Sequence, residues 1–274
     1  MKRSFLFLLL FLLFILQVPF CLYAVDNLRQ PDIRSIGLGG NEVTQSVLFN
    51  PSLVALSTAP TLHVGLFNRF QIKELSQLSC RFTYPNEWLS AGIDISSFGC
   101  DAYRDSRFRL SVGKRLDEQW SLGIAVQYRL VQSTLFEQSP SFLSADIGVS
   151  WLPVDHLLIG VLMKDLPSVC IHNNHSDNKP FTNYLVQAGF QWEVINKLFI
   201  ISSLGTEKEE TLIANVGVEY VPFDCFHLRA GMRTAPLLPS FGMGFCFSRF
   251  VVDAAVQYHT QLGVCSGLEI GFRF

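Results

Sequence analysis

The sequence predicts an all-β fold, namely a fourteen-stranded antiparallel transmembrane β-barrel. Two patterns along the chain and one feature of its start support this prediction. Apolar and polar residues alternate through many short segments, and the connections between these segments alternate between very short and longer. The chain also begins with the pattern of an export signal.

The first 24 residues have the features of a secretory signal peptide. Lys2 and Arg3 are basic, the stretch from residue 5 to residue 15 is apolar, and Ala24 offers a small residue for cleavage. The apolar stretch is shorter than the ~20 residues that a spanning helix needs, which argues against an uncleaved anchor. The residues before Cys21 are not the small ones that precede a lipid-modified cysteine, so we expect cleavage after Ala24.

Composition limits what an exported chain of this kind can be. Hydrophobic residues make up 49% of the 274 residues, 24 residues are phenylalanine, and the net charge is −2. This charge gives no reason to expect a nucleic-acid partner. Because no run of 18 apolar residues follows the signal, the apolar residues belong either to a soluble periplasmic β protein or to a barrel whose apolar face meets lipid.

Period-two alternation is clearest between residues 120 and 130, where one face carries a tryptophan, a tyrosine and four aliphatic residues. The opposite face carries serine, glycine, alanine, glutamine and arginine. Segments of about ten residues suit a tilted bilayer crossing. The predicted strands are 61–70, 74–84, 87–98, 105–116, 118–132, 142–152, 154–164, 183–193, 196–206, 210–221, 224–234, 239–248, 249–258 and 262–274.

Every second connection between these strands is minimal. The short ones lie near residues 85–87, 116–118, 153–155, 194–196, 222–224 and 248, and all four tryptophans are close to this set. Outer-membrane barrels have short periplasmic turns, longer outer loops and aromatic residues at both interfaces. An even number of strands would then place both chain termini in the periplasm.

The polar face is the predicted lumen. It is rich in glycine, which weakens an exposed strand but allows close approach of whatever fills a barrel. It also carries charges of both signs, which we expect to pair where water is scarce. The predicted lumen glycines are Gly92, Gly113, Gly123, Gly148, Gly189, Gly217, Gly231 and Gly271. The predicted charge network is Asp94, Arg107, Arg109, Arg129, Asp146, Glu193, Glu219, Arg229, Arg233, Asp253, Glu269 and Arg273.

The chain ends on an alternating strand in which Leu268, Ile270, Phe272 and Phe274 share one face. It resembles the last strand of bacterial outer-membrane proteins, which ends in phenylalanine and is recognised by the barrel-assembly machinery. The resemblance implies that Phe272 and Phe274 form an assembly signal.

A second resemblance lies between residues 33 and 57. The glycines Gly37, Gly39 and Gly40 are followed by Phe49-Asn50-Pro51. This segment resembles one in the FadL-like outer-membrane family, which includes long-chain fatty-acid transporters and the PorV and PorQ proteins of type IX secretion. Ser52 and Leu53 stand where the family has Ala-Gly, and residues 44–47 differ from its usual Asp-Asp-Ala-Ser.

The family resemblance implies a fourteen-stranded barrel, residues 61–274, with residues 25–60 folded into its lumen as a hatch. It implies passage of a hydrophobic ligand or service to a secretion or surface-attachment complex. A transporter of this kind should have a break in one wall strand, and residues 96–99 are the candidate. The expected partners are outer-membrane lipid, the assembly machinery, and such a ligand or complex.

Other chemistry is sparse in the sequence. His172, His175 and Asp177 have spacing that metal ligands adopt, but they fit a polar outer loop better. We predict no enzyme, catalytic residue, metal or cofactor, because no nucleophile motif occurs and the glycine-rich stretch near residue 37 lacks the P-loop lysine. Cys100 and Cys170 both fall in predicted outer loops and could pair, whereas Cys225 lies beside a short turn.

Overall fold

The computed structural model describes residues 32–134, 139–166, 168–172, 184–207 and 211–274. The predicted signal peptide, residues 25–31 of the predicted hatch, and His175 and Asp177 lie outside these residues. The strands are β1 Thr61–Asn68, β2 Ser76–Tyr84, β3 Ser90–Gly99, β4 Tyr103–Arg115, β5 Trp120–Ser133, β6 Ser141–Val154, β7 Leu157–Lys164, β8 Ser168–His172, β9 Leu185–Ile195, β10 Leu198–Glu207, β11 Thr211–Phe223, β12 Phe226–Arg233, β13 Leu238–Phe247, β14 Phe250–His259 and β15 Gly263–Arg273.

Fourteen of these strands close into an antiparallel barrel, which confirms the predicted fold class. Consecutive strands pair along the wall, β7 pairs with β9, and β1 pairs with β15 over the full length of β1. Closure removes the free edges of the sheet. The predicted strands agree with the observed ones to within a few residues, so the barrel is not the soluble alternative in which two sheets pack face to face.

The fifteenth strand, β8, was not predicted. It extends the line of β7 after an interruption that begins at Asp165, and it pairs with the start of β6. Asp165 has a φ of 57°, and its amide donates to Asp146 Oδ1 at 2.7 Å. The predicted break at residues 96–99 is wrong, because β3 keeps its pairing with β2 to Phe98 and with β4 to Gly99.

The outward face is an apolar belt. In β5 the outward residues Trp120, Ile124 and Tyr128 are 40%, 46% and 40% exposed, while the intervening Ala125 is buried. All four tryptophans lie near the short turns, and Trp120 stacks on Trp151 with ring centroids 5.3 Å apart. Because a soluble barrel would not present such a belt to water, the outer face matches the lipid-facing surface that the alternation predicted.

A lipid-facing charge should therefore be costly. We expect Val216→Arg, on the outward face of β11, to destabilise the barrel by about 2–4 kcal/mol if it lies near the bilayer midplane. Equilibrium unfolding in lipid vesicles measures this cost.

The matched control is Gln257→Arg. Gln257 is half-buried on the inward face of β14, and we expect this substitution to destabilise the barrel less than Val216→Arg does. Asn215, although adjacent to Val216 and inward, is unsuitable because it is buried and donates to Gly40 O at 3.1 Å. Equal losses at Val216 and Gln257 would contradict the assignment of the two faces.

No helix among the described residues is long and apolar enough to cross a membrane. The described helices are α1, Ile33–Gly37, and two short 3-10 helices, Pro51–Leu56 and Lys73–Leu75. The first two belong to residues 32–57, which we call the N-terminal segment. Asp32 caps α1 by accepting the Ser35 amide at 3.1 Å.

Candidate functional site

The N-terminal segment lies against the inner faces of the strands, and most of its residues are buried. Its α1 helix contacts β12 to β15, and its 3-10 helix contacts β3 to β6 on another side of the wall. The segment therefore crosses the lumen between two docking areas. These two areas, together with the charged side chains around them, form the candidate functional site.

Inward glycines form the first docking area. Gly113, Gly123 and Gly148 are in register across β4, β5 and β6, directly beneath Pro51. A Cβ on Gly113 would lie 2.8 Å from Pro51 O, and one on Gly123 would overlap the Pro51 carbonyl. Only glycine leaves room for the segment here, which matches the close approach predicted for the lumen glycines.

A second group of glycines receives the other end of the segment. Gly217 and Gly231 are in register on β11 and β12, and a Cβ on Gly217 would come within 2.6 Å of Leu38 O. Gly39 has a φ of 75° and packs against the backbone of Met232. Gly189 and Gly271, by contrast, face other wall residues, and sequence analysis missed Gly160 and Gly242, which do meet the segment.

The Asn50-Pro51 step shapes the segment between the two docking areas. The fully buried Asn50 side chain accepts from the Ser52 amide at 3.1 Å and donates to Val43 O at 2.7 Å. Pro51 opens the 3-10 helix, where its missing N–H costs nothing. Asn50 is therefore the N-cap of the 3-10 helix Pro51–Leu56.

Phe49 anchors the middle of the segment. It packs in a buried cluster with Val43, Leu48, Leu162 and Leu185, and the Lys164 ammonium lies 4.2 Å from its ring centroid. A cation over an aromatic face is attracted by the ring electrons. The Phe49 carbonyl also accepts from Arg109 Nη2 at 3.1 Å, so the backbone is held as well as the ring.

Two ion pairs tie the segment to the wall. Asp32 pairs with Arg81 at 3.2 Å, and Arg34 pairs with Glu219 at 2.9 Å. The negative charge of Glu219 raises the pKa of Arg34 above its usual value. Both segment residues lie in or beside α1, so this end of the segment is held by charge while the Pro51 end is held by packing.

Most of the predicted charge network does line the lumen. Arg109 pairs with Asp146, and Arg229 bridges Glu219 and Asp253. Asp94 is buried on the inner face of β3. Arg107 and Arg129 share Asp105, each at 2.8 Å, and Glu269 pairs with Arg81 and with His63, each at 2.9 Å.

Three predicted members of this network lie near the ends of their strands. Glu193 accepts from the Lys197 amide and contacts His156 beside a short turn. Arg233 donates to Ala235 O at 3.0 Å beyond the end of β12. Arg273 is exposed at the end of β15, where it borders a lumen cavity that Arg229, Asp253 and Glu269 also line. Strand ends lie where the lumen opens toward the membrane interface, so these residues lie near its openings rather than in its middle.

Sequence analysis also missed several members of the network. Asp105 and Arg81 follow the same inward alternation as the predicted residues, and this signal would have identified them. His63 and His227 contact Glu269 and Glu219 at 2.9 and 3.1 Å. Asp32 and Arg34 carried no such signal, because they lie outside the strands.

The described residues contain no group of three or more His, Cys, Asp or Glu side chains placed to hold a metal. Cys100 and Cys170 form no disulfide, so the pairing that the sequence left open does not occur in this structure. Cys100 follows β3 and Cys170 lies in β8, with β4, β5 and β6 between them. Neighbouring strands lie about 4.8 Å apart, which places the two cysteines beyond the reach of a disulfide.

Comparison with known proteins identifies the barrel type. No protein-family model matches the sequence, and no curated protein matches it. The fold resembles the toluene transporter TbuX of Ralstonia pickettii, with a TM-score of 0.66, 11% identity, and coverage of 91% of this chain and 100% of that chain. It also resembles the Pseudomonas putida toluene transporter TodX, with a TM-score of 0.65, 9% identity, and coverage of 90% and 99%.

A FadL homologue of Pseudomonas aeruginosa gives a TM-score of 0.59 at 10% identity, with coverage of 90% and 99%. The chain therefore has the fold of a FadL-type barrel, in agreement with the resemblance of its N-terminal motif.

Proposed function

We propose that this chain is an outer-membrane barrel in which the N-terminal segment acts as a hatch, and that a small hydrophobic compound crosses when this segment shifts. Both termini face the periplasm in this proposal, since the short turns lie at the end of the barrel where β1 begins and β15 ends. The observation that carries the proposal is the docking of the segment across the lumen of a FadL-type barrel. The outward Phe272 and Phe274, whose ring centroids lie 5.0 Å apart, remain the proposed assembly signal.

The substrate class rests on the fold neighbours, which are transporters of toluene, and on the apolar residues around Phe49. A hydrophobic compound has no hydrogen bonds to replace inside the barrel, and the cluster of Val43, Leu48 and Phe49 offers it apolar surface once the segment moves. The ion pairs at the α1 end would then act as a hinge.

A removable cross-link tests this proposal. The hydroxyls of Ser52 and Ser150 lie 2.6 Å apart, both buried, so the double variant Ser52→Cys/Ser150→Cys can join the segment to β6 by a disulfide. The other cysteines are replaced in the same background. We expect labelled toluene or long-chain fatty acid to enter cells that express the reduced barrel, and entry to fall when the cross-link forms.

The single variant Ser52→Cys in the same background is the control, and its uptake should not respond to oxidation. Equal uptake by the oxidised and reduced double variant, with the cross-link verified by mass, would contradict passage by movement of the segment. Absence of uptake by every form would contradict a transport role.

One observation favours a second candidate, a barrel that serves a secretion or surface-attachment complex as PorV and PorQ do. The described lumen is crossed by buried ion pairs such as Arg109 with Asp146 rather than by an open apolar tunnel. Cross-linking in outer-membrane fractions separates the candidates. A scaffold would be recovered with a defined exported protein and would carry no hydrophobic compound, and a transporter would show the reverse.

A further inference from the structure

Cys225 and Cys246 lie opposite each other at the end of the barrel that carries the short turns. Cys225 is the last residue of the turn between β11 and β12, and Cys246 lies near the end of β13. Phe226 pairs with Phe245, so one further step of the same antiparallel register places Cys225 opposite Cys246. The Cys246 amide donates to the Cys225 carbonyl at 2.8 Å, in agreement with this register.

The backbone geometry of such a pair suits a disulfide. Residues that are hydrogen-bonded opposite each other in an antiparallel ladder have Cα atoms about 5.5 Å apart, with both side chains on one face of the sheet. Disulfides most often join Cα atoms about 5.5–6 Å apart. Both cysteines carry free thiols in this structure. A bond between them therefore requires rotation of the side chains and no change in the pairing of the strands.

The other four described cysteines lie elsewhere in the barrel. Cys80 is exposed on the outward face of β2, and Cys265 is buried in β15. Cys100 and Cys170 lie toward the opposite end of the barrel, beyond the reach of each other. Among the described cysteines, Cys225 and Cys246 are therefore the pair that the register brings together.

His227 is placed to accept the thiol proton of Cys246. Its Nδ1 lies 3.1 Å from Glu219 Oε1, and its Nε2 lies 3.7 Å from Cys246 Sγ. Donation from Nδ1 to the carboxylate leaves Nε2 without a proton, so Nε2 can accept one from the thiol. This matters because the thiolate, and not the thiol, carries out disulfide exchange.

Both sulfur atoms are accessible to a reagent. Cys225 is exposed, and Cys246 borders the lumen cavity of about 290 Å³ together with His227. Exported proteins meet an oxidising environment in the periplasm, where disulfides form and persist.

We propose that Cys225 and Cys246 form a disulfide in the periplasm, and the proposal rests on the orientation of the barrel given under the proposed function. The oxidant is an exchangeable disulfide. The Cys225 thiolate attacks one of its sulfur atoms, forms a mixed disulfide and releases the first thiol. The Cys246 thiolate, whose proton has passed to His227, then attacks the Cys225 sulfur and releases the second thiol.

The bond has a consequence for the N-terminal segment. It joins the ends of β12 and β13, two of the strands that α1 contacts. It also lies beside His227 and Glu219, and Glu219 is the wall partner of Arg34. The disulfide would therefore fix covalently the part of the wall that holds the charged end of the segment.

Mass spectrometry of the mature chain tests the proposal. Outer membranes are isolated in iodoacetamide, which blocks free thiols, and the purified chain is digested without reduction. We expect a linked pair of peptides that contain Cys225 and Cys246, whereas Cys100 and Cys170 carry the label. Folded barrel that is purified in reductant and moved into oxidised glutathione should form the same link, at a rate that does not depend on protein concentration.

Three variants are the controls. Cys225→Ser should leave Cys246 labelled, and Cys246→Ser should leave Cys225 labelled. His227→Gln should form the link severalfold more slowly at neutral pH, and this difference should disappear at high pH, where the thiolate forms without a base.

Labelled Cys225 and Cys246 in both the cell-derived and the glutathione-treated barrel would overturn the pairing. Linkage in glutathione with both thiols labelled in cells would contradict the periplasmic location of this end, on which the proposal rests. An unchanged rate in His227→Gln at neutral pH would overturn the role of His227 as the base.

Discussion

Removal of residues 27–58 should convert a closed barrel into an open pore. The strands close on themselves without the segment, since β1 pairs with β15 and every strand of the wall has two neighbours. The segment supplies eight of the 19 buried hydrophobic residues among the described ones and fills the space between the inner faces of the strands, so its loss leaves a wide lumen. We expect a large rise in bilayer conductance and greater sensitivity of cells to large antibiotics, with the heat-modifiable mobility of a folded barrel retained.

The control is a deletion limited to residues 27–31, which keeps every segment residue that contacts the wall. Its conductance should remain that of the intact chain. Unchanged permeability in a correctly folded barrel that lacks residues 27–58 would show that the segment does not occlude the lumen, and residues 25–60 would then be a loose periplasmic tail.

A leucine in place of Gly123 should undock the same segment in the full-length chain. The Cβ at this position would overlap the Pro51 carbonyl, and the backbone on both sides of the contact is part of a ladder or a helix. A collision with backbone cannot be relieved by a rotamer change. We expect a leak conductance and proteolysis between residues 45 and 57, while the barrel still assembles because a leucine suits a strand better than glycine does.

Gly271→Leu provides the matched control for Gly123→Leu. Gly271 is also an inward strand glycine, but the atoms nearest to a Cβ there belong to the His63 side chain, which borders a cavity of about 290 Å³. A side chain with open space beside it can move away. A leak of equal size in the two variants would mean that any bulky residue in the lumen disturbs the barrel, and the specific docking of Pro51 would lose its support.

Period-two alternation predicted the barrel well because each strand has one face toward lipid and one toward the lumen. The lipid face is apolar and the lumen face is polar or glycine-rich, so the two faces differ in sequence. The β7–β8 interruption was not visible in this way. Asp165 and Pro167 resemble an ordinary loop in the sequence. The hydrogen bond from the Asp165 amide to Asp146 and the pairing of β8 with β6 show that the chain returns to β6. Residues 96–99, by contrast, resemble a break because two serines and a glycine are among them, yet their ladder continues.

The candidate site was predictable in its backbone and in most of its lumen charges, but not in the ion pairs that join the segment to the wall. The Asn50-Pro51 step fixes its own turn through local hydrogen bonds, so the sequence contains all the information needed. The pairs from Asp32 to Arg81 and from Arg34 to Glu219 join residues far apart along the chain. Their meeting depends on the tilt and stagger of the closed barrel, which no local pattern encodes.

Hydrogen exchange of the N-terminal segment in lipid nanodiscs is the most direct test of this account. Amides such as those of Ser35, Phe49 and Asn50 are hydrogen-bonded and buried inside the barrel. We expect protection of residues 32–57 close to that of the wall strands in the intact chain, and loss of that protection in Gly123→Leu. Rapid exchange throughout residues 32–57 of the intact chain, beside protected strands, would contradict a segment docked in the lumen.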